Sequence, residues 1–427
     1  MTAAPTYPLP DRPGAYGDRG EFEAARPESG QWVFWEDRAK LVLEGRYDEV
    51  KPLHVELSPT YLCNFSCPWC SCRAAREVWS DEDVFKHPEA TPGTVMNCQQ
   101  LNDTVDRMAE HRIGIQWVGG EPTMHPGLLP AARRARAHGL AQCLFTNGSV
   151  LGERRVRALF ECELAFIRVS LDAVTEGVHR AHHGYRRDRP YPRIVLCNLR
   201  ELVRLRRELG SATEVGVSLV VDERNIDDLL PTARFLADLC AKYGDGAVDF
   251  VVVRPAYQFY NSQVELGSDT AARLWTLIER GGRFAEMLGE RGVRVVAPEA
   301  SYDCGSPQLD RAGEDCLSCG WFGEVTPTGE MVVCSDRYGN PDYFVGNVTE
   351  EGVDGIWAGE RRREVLAYAS ETRCFKTRCP RNGRGFQLNT VFHEIERQRR
   401  AGQLDAVRRW VEDLRRALPA PRHSFFL

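Results

Sequence analysis

Short apolar segments alternate with amphipathic segments through the middle of the chain. The apolar segments have the length of buried strands: HVELSPT (54–60), IQWVGG (115–120), QCLFTN (142–147), AFIRVSLD (165–172), EVGVSLVV (214–221) and VDFVVVRP (248–255). Helical periodicity occurs near 97–111, 127–138, 151–160, 190–209, 226–242 and 269–289. This alternation is typical of parallel βαβ units, and right-handed crossovers can curve six of them into a partial (β/α)6 barrel. The pattern therefore predicts an α/β fold; a closed eight-unit barrel would need two further units.

The regions outside this pattern predict additional parts. Residues 1–30 are rich in proline, glycine and charge and predict a loose lead-in, whereas 32–50 predict a short helix. Prolines and mixed charge without periodicity over 71–96 predict an irregular insertion above the site, a candidate lid. We expect four parts: a capping segment (1–50), the barrel (51–296), a small cysteine-rich α+β domain (297–390), and a C-terminal segment (391–427) whose amphipathic helix, 391–417, packs against the barrel.

Three cysteines lie close together directly after the first predicted strand. Cys63, Cys67 and Cys70 have the spacing C-x3-C-x2-C, and Trp69 precedes the last of them. Soft thiolates suit iron and zinc, and short spacers curl the backbone around one centre. Three thiolates on a [4Fe–4S] cluster leave one iron free to bind a small molecule. The alternative is a structural zinc site with Cys72 as fourth ligand, for which the spacing is cramped.

This motif resembles the C-x3-C-x-aromatic-C signature of the radical S-adenosylmethionine (radical SAM) enzymes. The resemblance implies that the cluster binds S-adenosylmethionine and cleaves it to a 5′-deoxyadenosyl radical, which removes hydrogen from an unactivated carbon. It also implies a six-stranded partial barrel, in agreement with the strand pattern, and an external electron donor such as flavodoxin or ferredoxin.

Polar and glycine-rich positions at the ends of later strands match the cofactor site that this resemblance implies. The segment GGEP after the second strand resembles the family motif that grips the methionine ammonium, because glycines allow close approach and a carboxylate accepts hydrogen bonds from a cation. The expected cofactor contacts are Trp69, Gly119, Gly120, Glu121, Pro122, Thr146, Asn147, Ser170, Asp172 and Arg254. Turn or cap roles for the polar residues, and a structural salt bridge for Arg254, remain open.

A second group of cysteines follows the barrel. The spacing C-x9-G-x4-C from Cys319 to Cys334 resembles the start of the SPASM and twitch extensions of radical SAM enzymes, and VTPTGEMVVC predicts a hairpin that turns at Thr328 and Gly329. The resemblance implies one auxiliary [4Fe–4S] cluster, because the longer cysteine run of a two-cluster domain is absent. Its expected ligands are Cys319 and Cys334 with two of Cys316, Cys374 and Cys379; zinc is the alternative.

Composition narrows the class of protein further. The net charge of −6 and pI near 6.0 give no case for nucleic-acid binding, and no apolar stretch reaches the roughly 20 residues that cross a bilayer. Fifteen cysteines without a secretory signal favour a reducing, cytoplasmic compartment. We expect Cys98, Cys143, Cys162, Cys197 and Cys240 to be buried as small hydrophobic residues.

The substrate is the least determined part of the prediction. The overall layout resembles carbohydrate and aminocyclitol epimerases and dehydrogenases of antibiotic pathways, so we expect epimerisation of such a small molecule, with the thiol of Cys304 returning hydrogen. Dehydrogenation with the auxiliary cluster as electron acceptor is the alternative, and so is modification of a ribosomal peptide, although the residues before the first strand do not predict a peptide-recognition module. A non-catalytic iron–sulfur or zinc protein is a remote alternative. Asp303, His125, His179, His182 and His183 could serve as acid–base groups, although surface histidines are common and none of these has a diagnostic spacing.

Overall fold

A single ten-stranded sheet forms the centre of the fold. The computed structural model describes residues 31–70, 72, 94–184, 189–256, 266–297, 315–338, 340–371, 384–418 and 420–421. The strand order is β10-β9-β8-β1-β2-β3-β4-β5-β6-β7. The strands are β1 (His54–Leu57), β2 (Gly114–Trp117), β3 (Gln142–Thr146), β4 (Phe166–Ser170), β5 (Glu214–Val221), β6 (Phe250–Pro255), β7 (Arg294–Val296), β8 (Phe322–Val325), β9 (Glu330–Val332) and β10 (Phe344–Asn347).

All six strands predicted from the sequence are present, and each is parallel to the next. A seventh parallel strand, β7, extends the barrel beyond β6. Its three residues form too short an apolar run to be recognised in the sequence. The α/β class with a partial barrel is thus confirmed.

Helices connect the strands. Those of the barrel are α2 (Cys98–Glu110), α3 (Leu128–Ala137), α4 (Glu153–Glu161), α5 (Glu176–His183), α6 (Tyr191–Leu209), α7 (Leu229–Tyr243), α8 (Ser268–Ile278) and α9 (Arg283–Gly289); the others are α1 (Glu36–Leu43), α10 (Val348–Ala358), α11 (Glu360–Glu371), α12 (Arg384–Arg400) and α13 (Leu404–Ala417). Local sequence sets many of these ends. Asn97 and Gln100 form a reciprocal capping box at the start of α2, and Gly184 and Gly210 end α5 and α6 in the left-handed conformation.

Two segments that were each predicted as one continuous helix are interrupted in the structure. The predicted helix over 269–289 is two helices, separated at Gly281 with φ 86°. The predicted C-terminal helix is likewise two, α12 and α13, separated at Gly402 with φ 75°. A positive φ interrupts the i→i−4 hydrogen-bond pattern, and glycine adopts it without steric cost. Helix α5 was not predicted as a separate element.

Aromatic rings close one end of the concave face of the barrel. Phe166 and Phe250, the first residues of β4 and β6, meet edge to face with ring centroids 5.5 Å apart. Gly216 makes room for them, since a Cβ there would lie 2.2 Å from the Phe250 ring. These rings lie at the amino-terminal ends of the strands, whereas ligands of parallel sheets generally bind at the carboxyl ends.

The N- and C-terminal segments share a second hydrophobic core. Phe392 of α12 packs edge to face on Trp32 at 5.4 Å and also contacts Trp321 at 5.7 Å. Described members of this core come from 32–53, 317–322 and 388–418. The C-terminal segment, which we expected on the barrel, therefore packs on the N-terminal helix and the start of the cysteine-rich region. Within the described residues, no helix combines the length and apolar composition needed to cross a membrane.

The predicted hairpin of the cysteine-rich region is confirmed, and it joins the barrel sheet. Strands β8 and β9 are antiparallel, with the turn at Gly329 (φ 87°). Strand β8 also pairs in parallel with β1, so that Glu324 lies beside Glu56. The two cysteine-bearing regions are consequently connected through one continuous sheet.

Candidate active site

The loop after β1 carries the three cysteines at the carboxyl edge of the sheet. Cys63 is buried, whereas Cys67 and Cys70 are half-buried. A turn closes the second spacer, since the Cys70 N–H donates to the Cys67 carbonyl at 3.2 Å. The buried ring of Phe65 anchors the loop in the main core. Because Cys67 and Cys70 are partly exposed, their thiols are accessible to a metal cluster that enters from the solvent.

The surroundings of these sulfur atoms fit an iron–sulfur cluster. The Phe65 backbone N–H lies 3.4 Å from the Cys63 sulfur and the Asn147 amide nitrogen 3.6 Å from it, and N–H groups near sulfur stabilise thiolates. Among the described residues, no three histidine, cysteine or carboxylate side chains are gathered as ligands of a single metal ion. The buried thiol of Cys72, the proposed fourth zinc ligand, instead donates to the Gly119 carbonyl at 3.4 Å.

The GGEP segment lies directly against the cysteine loop. The N–H of Gly120 donates to the Thr60 carbonyl at 2.8 Å, and that of Glu121 donates to the Leu62 carbonyl at 2.7 Å. A Cβ on Gly120 would lie 2.2 Å from the Leu62 oxygen, and one on Gly119 would lie 2.5 Å from the Thr60 oxygen. The two glycines are therefore required by the contact between backbones, not only by a ligand.

Glu121 is buried and its carboxylate is used inside the protein. Oε1 accepts from the Thr123 N–H at 3.1 Å, the Thr123 hydroxyl at 2.5 Å and the Thr146 hydroxyl at 2.7 Å, and Oε2 accepts from the Asn147 N–H at 2.6 Å. Burial raises the pKa of this carboxyl, and the hydrogen bonds oppose the shift. In this arrangement Glu121 joins the ends of β2 and β3. Pro122 begins a short 3-10 helix that carries Thr123.

Asn147 connects the end of β3 to the cysteine loop. Its side-chain amide donates to Oδ1 of Asn64 at 2.9 Å, and its own Oδ1 accepts from the N–H of Ser149 at 2.9 Å. Asn64 in turn donates to the Ser149 hydroxyl at 2.8 Å. The side chain of Asn147 thus supports the loop that holds the thiols.

Three other expected residues lie at the ends of β4 to β6. The Ser170 hydroxyl lies 3.3 Å from that of Ser218 on the next strand. Asp172 has a left-handed backbone (φ 55°) and accepts the Val220 N–H at 2.6 Å. Burial raises the pKa of Asp172 to about 6, and the positive charge of Arg254 opposes the shift. The sheet therefore brings these residues to one edge, as predicted.

The three histidines of α5 are not surface residues. His179, His182 and His183 are buried. They lie under the cysteine loop: the His183 ring is 5.0 Å from Phe65 and the His182 ring 5.4 Å from Trp69. The spacing i, i+3, i+4 could have indicated a shared helix face.

His125 is also buried and has a structural role. Its Nδ1 accepts from the Gly127 N–H at 3.1 Å, so Nε2 donates to the Met96 carbonyl at 2.6 Å. Both ring nitrogens are occupied by backbone groups. This arrangement gives no support to the expected acid–base role.

The cysteine-rich region brings Cys316 and Cys319 together. A hydrogen bond from the Cys319 thiol lowers the pKa of Cys316 and raises that of Cys319. Asn389 of α12 donates to the Cys316 sulfur at 3.3 Å and accepts the Ser318 N–H at 3.0 Å. Cys334 follows β9 and is half-buried. Asp303, Cys304, Cys374 and Cys379 lie outside the described residues, so the ligand set and hydrogen donor stay predictions.

The remaining cysteines divide into two groups. Cys143, Cys162 and Cys240 are buried as expected. Cys98 and Cys197 are exposed, which corrects the prediction for both. Each lies on a helix, so its burial depends on which face contacts the barrel.

Comparison with known families agrees with both cysteine-bearing regions. Residues 57–236 match the model of the radical SAM superfamily, and residues 316–380 match that of the SPASM iron–sulfur cluster-binding domain. The chain belongs to the radical SAM superfamily. More particularly, it is a radical SAM enzyme with a C-terminal SPASM domain; it binds S-adenosylmethionine and a [4Fe–4S] cluster in the first region and auxiliary iron–sulfur in the second.

Several characterised proteins are similar to the chain. A "tungsten-containing aldehyde ferredoxin oxidoreductase cofactor-modifying protein" of Pyrococcus furiosus is 23% identical over 73% of this chain and 82% of its own. A "PqqA peptide cyclase" of Gluconobacter oxydans is 23% identical over 72% of this chain and 76% of its own. A "dTDP-4-amino-4,6-dideoxy-D-glucose ammonia-lyase" of Streptomyces venezuelae is 29% identical over 49% of this chain and 41% of its own length.

A solved structure supports the fold. The structure of Streptococcus suis SuiB bound to S-adenosylmethionine aligns with a TM-score of 0.57 over 84% of this chain and 77% of SuiB. Sequence identity is 13%, so this similarity concerns the fold alone.

Proposed function

We propose that the protein modifies a ribosomally made peptide by radical chemistry at an unactivated carbon. The observation that carries this proposal is the extent of similarity to the peptide cyclase. The alignment with the peptide cyclase spans 313 residues and so extends beyond the 180 residues of the radical SAM match (57–236). The alignment with the sugar ammonia-lyase spans 210 residues. Our preference from the sequence for a carbohydrate substrate is therefore reduced to a second candidate.

Cys63, Cys67 and Cys70 are the residues that would hold the cluster. When bound, it supplies the electron that cleaves S-adenosylmethionine to the 5′-deoxyadenosyl radical. Their loop lies at the carboxyl edge of the sheet, where ligands of parallel sheets bind. In this proposal the substrate carbon approaches the cofactor from the same edge of the sheet.

The residues at the ends of β2 to β6 position the cofactor in this proposal. Glu121 fixes the loop after β2 and holds the Asn147 backbone beside the cysteine loop at 2.6 Å. The paired hydroxyls of Ser170 and Ser218 offer both donors and acceptors to a polar ligand. Arg254 supplies a positive charge at the same edge, suited to a carboxylate. A flavodoxin or ferredoxin would deliver the electron from outside.

A carbohydrate or aminocyclitol is the second candidate substrate. It is favoured by the 29% identity to the sugar-nucleotide ammonia-lyase, which exceeds that to the other two relatives. In that case Cys304 would return hydrogen in an epimerisation, or the auxiliary cluster would accept an electron in a dehydrogenation. Solvent deuterium at the product carbon would indicate the thiol donor.

Anaerobic reconstitution tests the radical chemistry. We expect the protein with iron, sulfide, dithionite and S-adenosylmethionine to release 5′-deoxyadenosine, and Cys67→Ala to lose this activity. The exposed Cys98→Ala is the matched control and should retain it. Failure of the reconstituted wild type to form 5′-deoxyadenosine would overturn the proposal.

Coexpression tests the substrate class. The chain is expressed with each short reading frame adjacent to its gene, and peptide masses are compared with those from the Cys67→Ala variant. We expect one peptide to change in mass, with loss of one hydrogen molecule if the product is a cyclised or dehydrogenated peptide. Unchanged peptides, together with turnover of a dTDP-amino sugar, would instead establish the second candidate.

A further inference from the structure

The amino-terminal end of α4 lies beside the cysteine loop. Ser149, in the segment that leads to this helix, accepts a hydrogen bond from the Asn64 side chain at 2.8 Å. Arg155, in the first turn of α4, donates to the Val150 carbonyl at 2.6 Å and so fastens the helix to that segment. The neighbouring Arg154 is exposed. The start of α4 therefore presents positive charge next to the loop.

The amino-terminal end of α6 lies beside the same loop. The ring of Tyr191, the first residue of α6, meets the buried Phe65 ring edge to face, with centroids 5.2 Å apart. Arg189 and Arg193, on either side of Tyr191 in the chain, are exposed. The two helix ends together carry an arginine patch, which consists of Arg154, Arg155, Arg189 and Arg193.

The charges of the arginine patch are not neutralised by the described part of the protein. None of its four guanidinium groups forms an ion pair with a residue that the structure describes. Arginines further along the same helices do form such pairs. Arg157 of α4 lies 2.8 Å from both Glu153 and Glu208, and Arg204 of α6 pairs with Glu201. The unneutralised positive charge is thus concentrated at the ends of these helices that face the cysteines.

Helix stability does not explain this placement. The amino terminus of a helix carries partial positive charge, so cations in the first turn are disfavoured and acidic residues are favoured there. The first turn of α6 contains no acidic residue, and Glu153 in the first turn of α4 is paired with Arg157. A charge arrangement that opposes the helix dipole is expected where positive charge serves binding. The partner that it suits is anionic.

We propose that the arginine patch is the docking surface for an acidic one-electron carrier protein of the flavodoxin type. The inference rests on the proposed function, because it takes the cysteine loop as the holder of a cluster that needs one external electron for each S-adenosylmethionine cleaved. In each encounter the reduced carrier loses one electron and the cluster gains it, and no bond is made or broken.

The position and charge of the patch both suit this partner. Electron transfer weakens steeply with distance, so the carrier has to dock beside the partly exposed Cys67 and Cys70. The chain has a net charge of −6 and repels an acidic protein over most of its surface. A local positive patch therefore also orients the carrier, as complementary charges do in rapid protein association.

The test is the rate of cluster reduction by a purified flavodoxin of net negative charge, followed by stopped-flow absorbance on the reconstituted full chain. Arg154→Glu combined with Arg193→Glu should lower the second-order rate constant about tenfold at low ionic strength, because it reverses the charge that attracts the carrier. Added salt should reduce the difference. Both changes place an acidic residue in a first helical turn, where it favours folding. Reduction by the methyl viologen radical, a cation, should not slow.

Arg283→Glu is the matched control for Arg154→Glu alone. Arg283 is an exposed arginine in the first turn of α9, the helix that leads into β7 at the far end of the barrel. The two variants change the net charge of the chain equally. Arg154→Glu should slow reduction by flavodoxin about threefold and Arg283→Glu should leave it unchanged. Binding of oxidised flavodoxin, measured by its flavin fluorescence, should weaken in the same order.

Three results would overturn the proposal. The first is an equal rate constant for wild type and the double variant with flavodoxin. The second is equal slowing with methyl viologen, which would place the defect in the cluster itself. The third is loss of peptide modification by the double variant with dithionite as reductant, which would make the patch a substrate site. Failure of the proposed function is distinguishable, because the wild type then forms no 5′-deoxyadenosine with dithionite.

Discussion

The carboxylate of Glu121 accepts the backbone N–H of Asn147 at 2.6 Å and so fastens the end of β2 to the end of β3. Asn147 in turn links the end of β3 to the cysteine loop, because its side-chain amide donates to Oδ1 of Asn64 at 2.9 Å. Three consecutive strands are thus connected at the edge where the thiols lie. The acidic residue of GGEP contributes to the site by shaping it.

Replacing Glu121 with Gln should disrupt this connection. The amide nitrogen of Gln cannot accept, so at least one of the four donors that converge on Glu121 loses its partner. An unsatisfied buried donor costs about 1–3 kcal/mol. We expect a lower melting temperature and weaker S-adenosylmethionine binding, measured by calorimetry on reconstituted protein. Glu110→Gln, on an exposed ion pair with Arg107, is the control. Equal binding by both variants would contradict the prediction.

Replacing Gly120 with Ala should separate the GGEP segment from the cysteine loop. The added methyl group would lie 2.2 Å from the Leu62 oxygen and 2.5 Å from the Tyr61 oxygen, so the backbone must move. Such overpacking costs about 1–3 kcal/mol. We expect reduced iron incorporation at the first site. Gly152→Ala, where no atom lies within 4 Å, should behave as wild type. Full iron content in Gly120→Ala would argue against the required contact.

The sequence predicted the positions of the strands better than the packing of the buried side chains beneath the cysteine loop. Buried parallel strands such as β5 (Glu214–Val221) are nearly continuous apolar runs, which is why their positions were recognisable. The three residues of β7 carry too little pattern. The burial of His183 depends on the docking of α5 against Ser66, a long-range contact that local periodicity cannot encode. The role of Glu121 was likewise not predictable, because its donors come from two separate strand ends.

Asn389→Asp should affect the auxiliary site alone. The aspartate keeps an oxygen for the Ser318 N–H but loses the N–H that points at the Cys316 sulfur at 3.3 Å. It also places negative charge beside a thiolate. We expect iron content to fall from about eight toward about four atoms per chain, as for loss of one [4Fe–4S] cluster, while the spectral response to S-adenosylmethionine persists.

Asn340→Asp is the matched control for this variant. Asn340 caps a short helix in the same region by accepting the Asp342 N–H at 3.1 Å, and Asp serves equally as a cap. It should leave the iron content unchanged. Full iron content in Asn389→Asp would show that the hydrogen bond to Cys316 is dispensable for assembly.

Asp172→Asn should make stability less sensitive to pH. Burial raises the pKa of Asp172 to about 6 from a usual value of 3.8, so between these values the folded chain holds a proton that the unfolded chain releases. The contribution of this carboxyl to stability is therefore complete below about pH 4 and is lost as the pH rises through 6, by up to about 3 kcal/mol. Asparagine does not titrate, tolerates the left-handed backbone and keeps an oxygen for the Val220 N–H. His182 and His183, which face Asp172, and the nearby Arg254 are present in both proteins. The melting temperature of the variant should consequently rise relative to wild type between pH 4 and pH 7; a difference that does not change with pH would show that folding does not raise the pKa of Asp172.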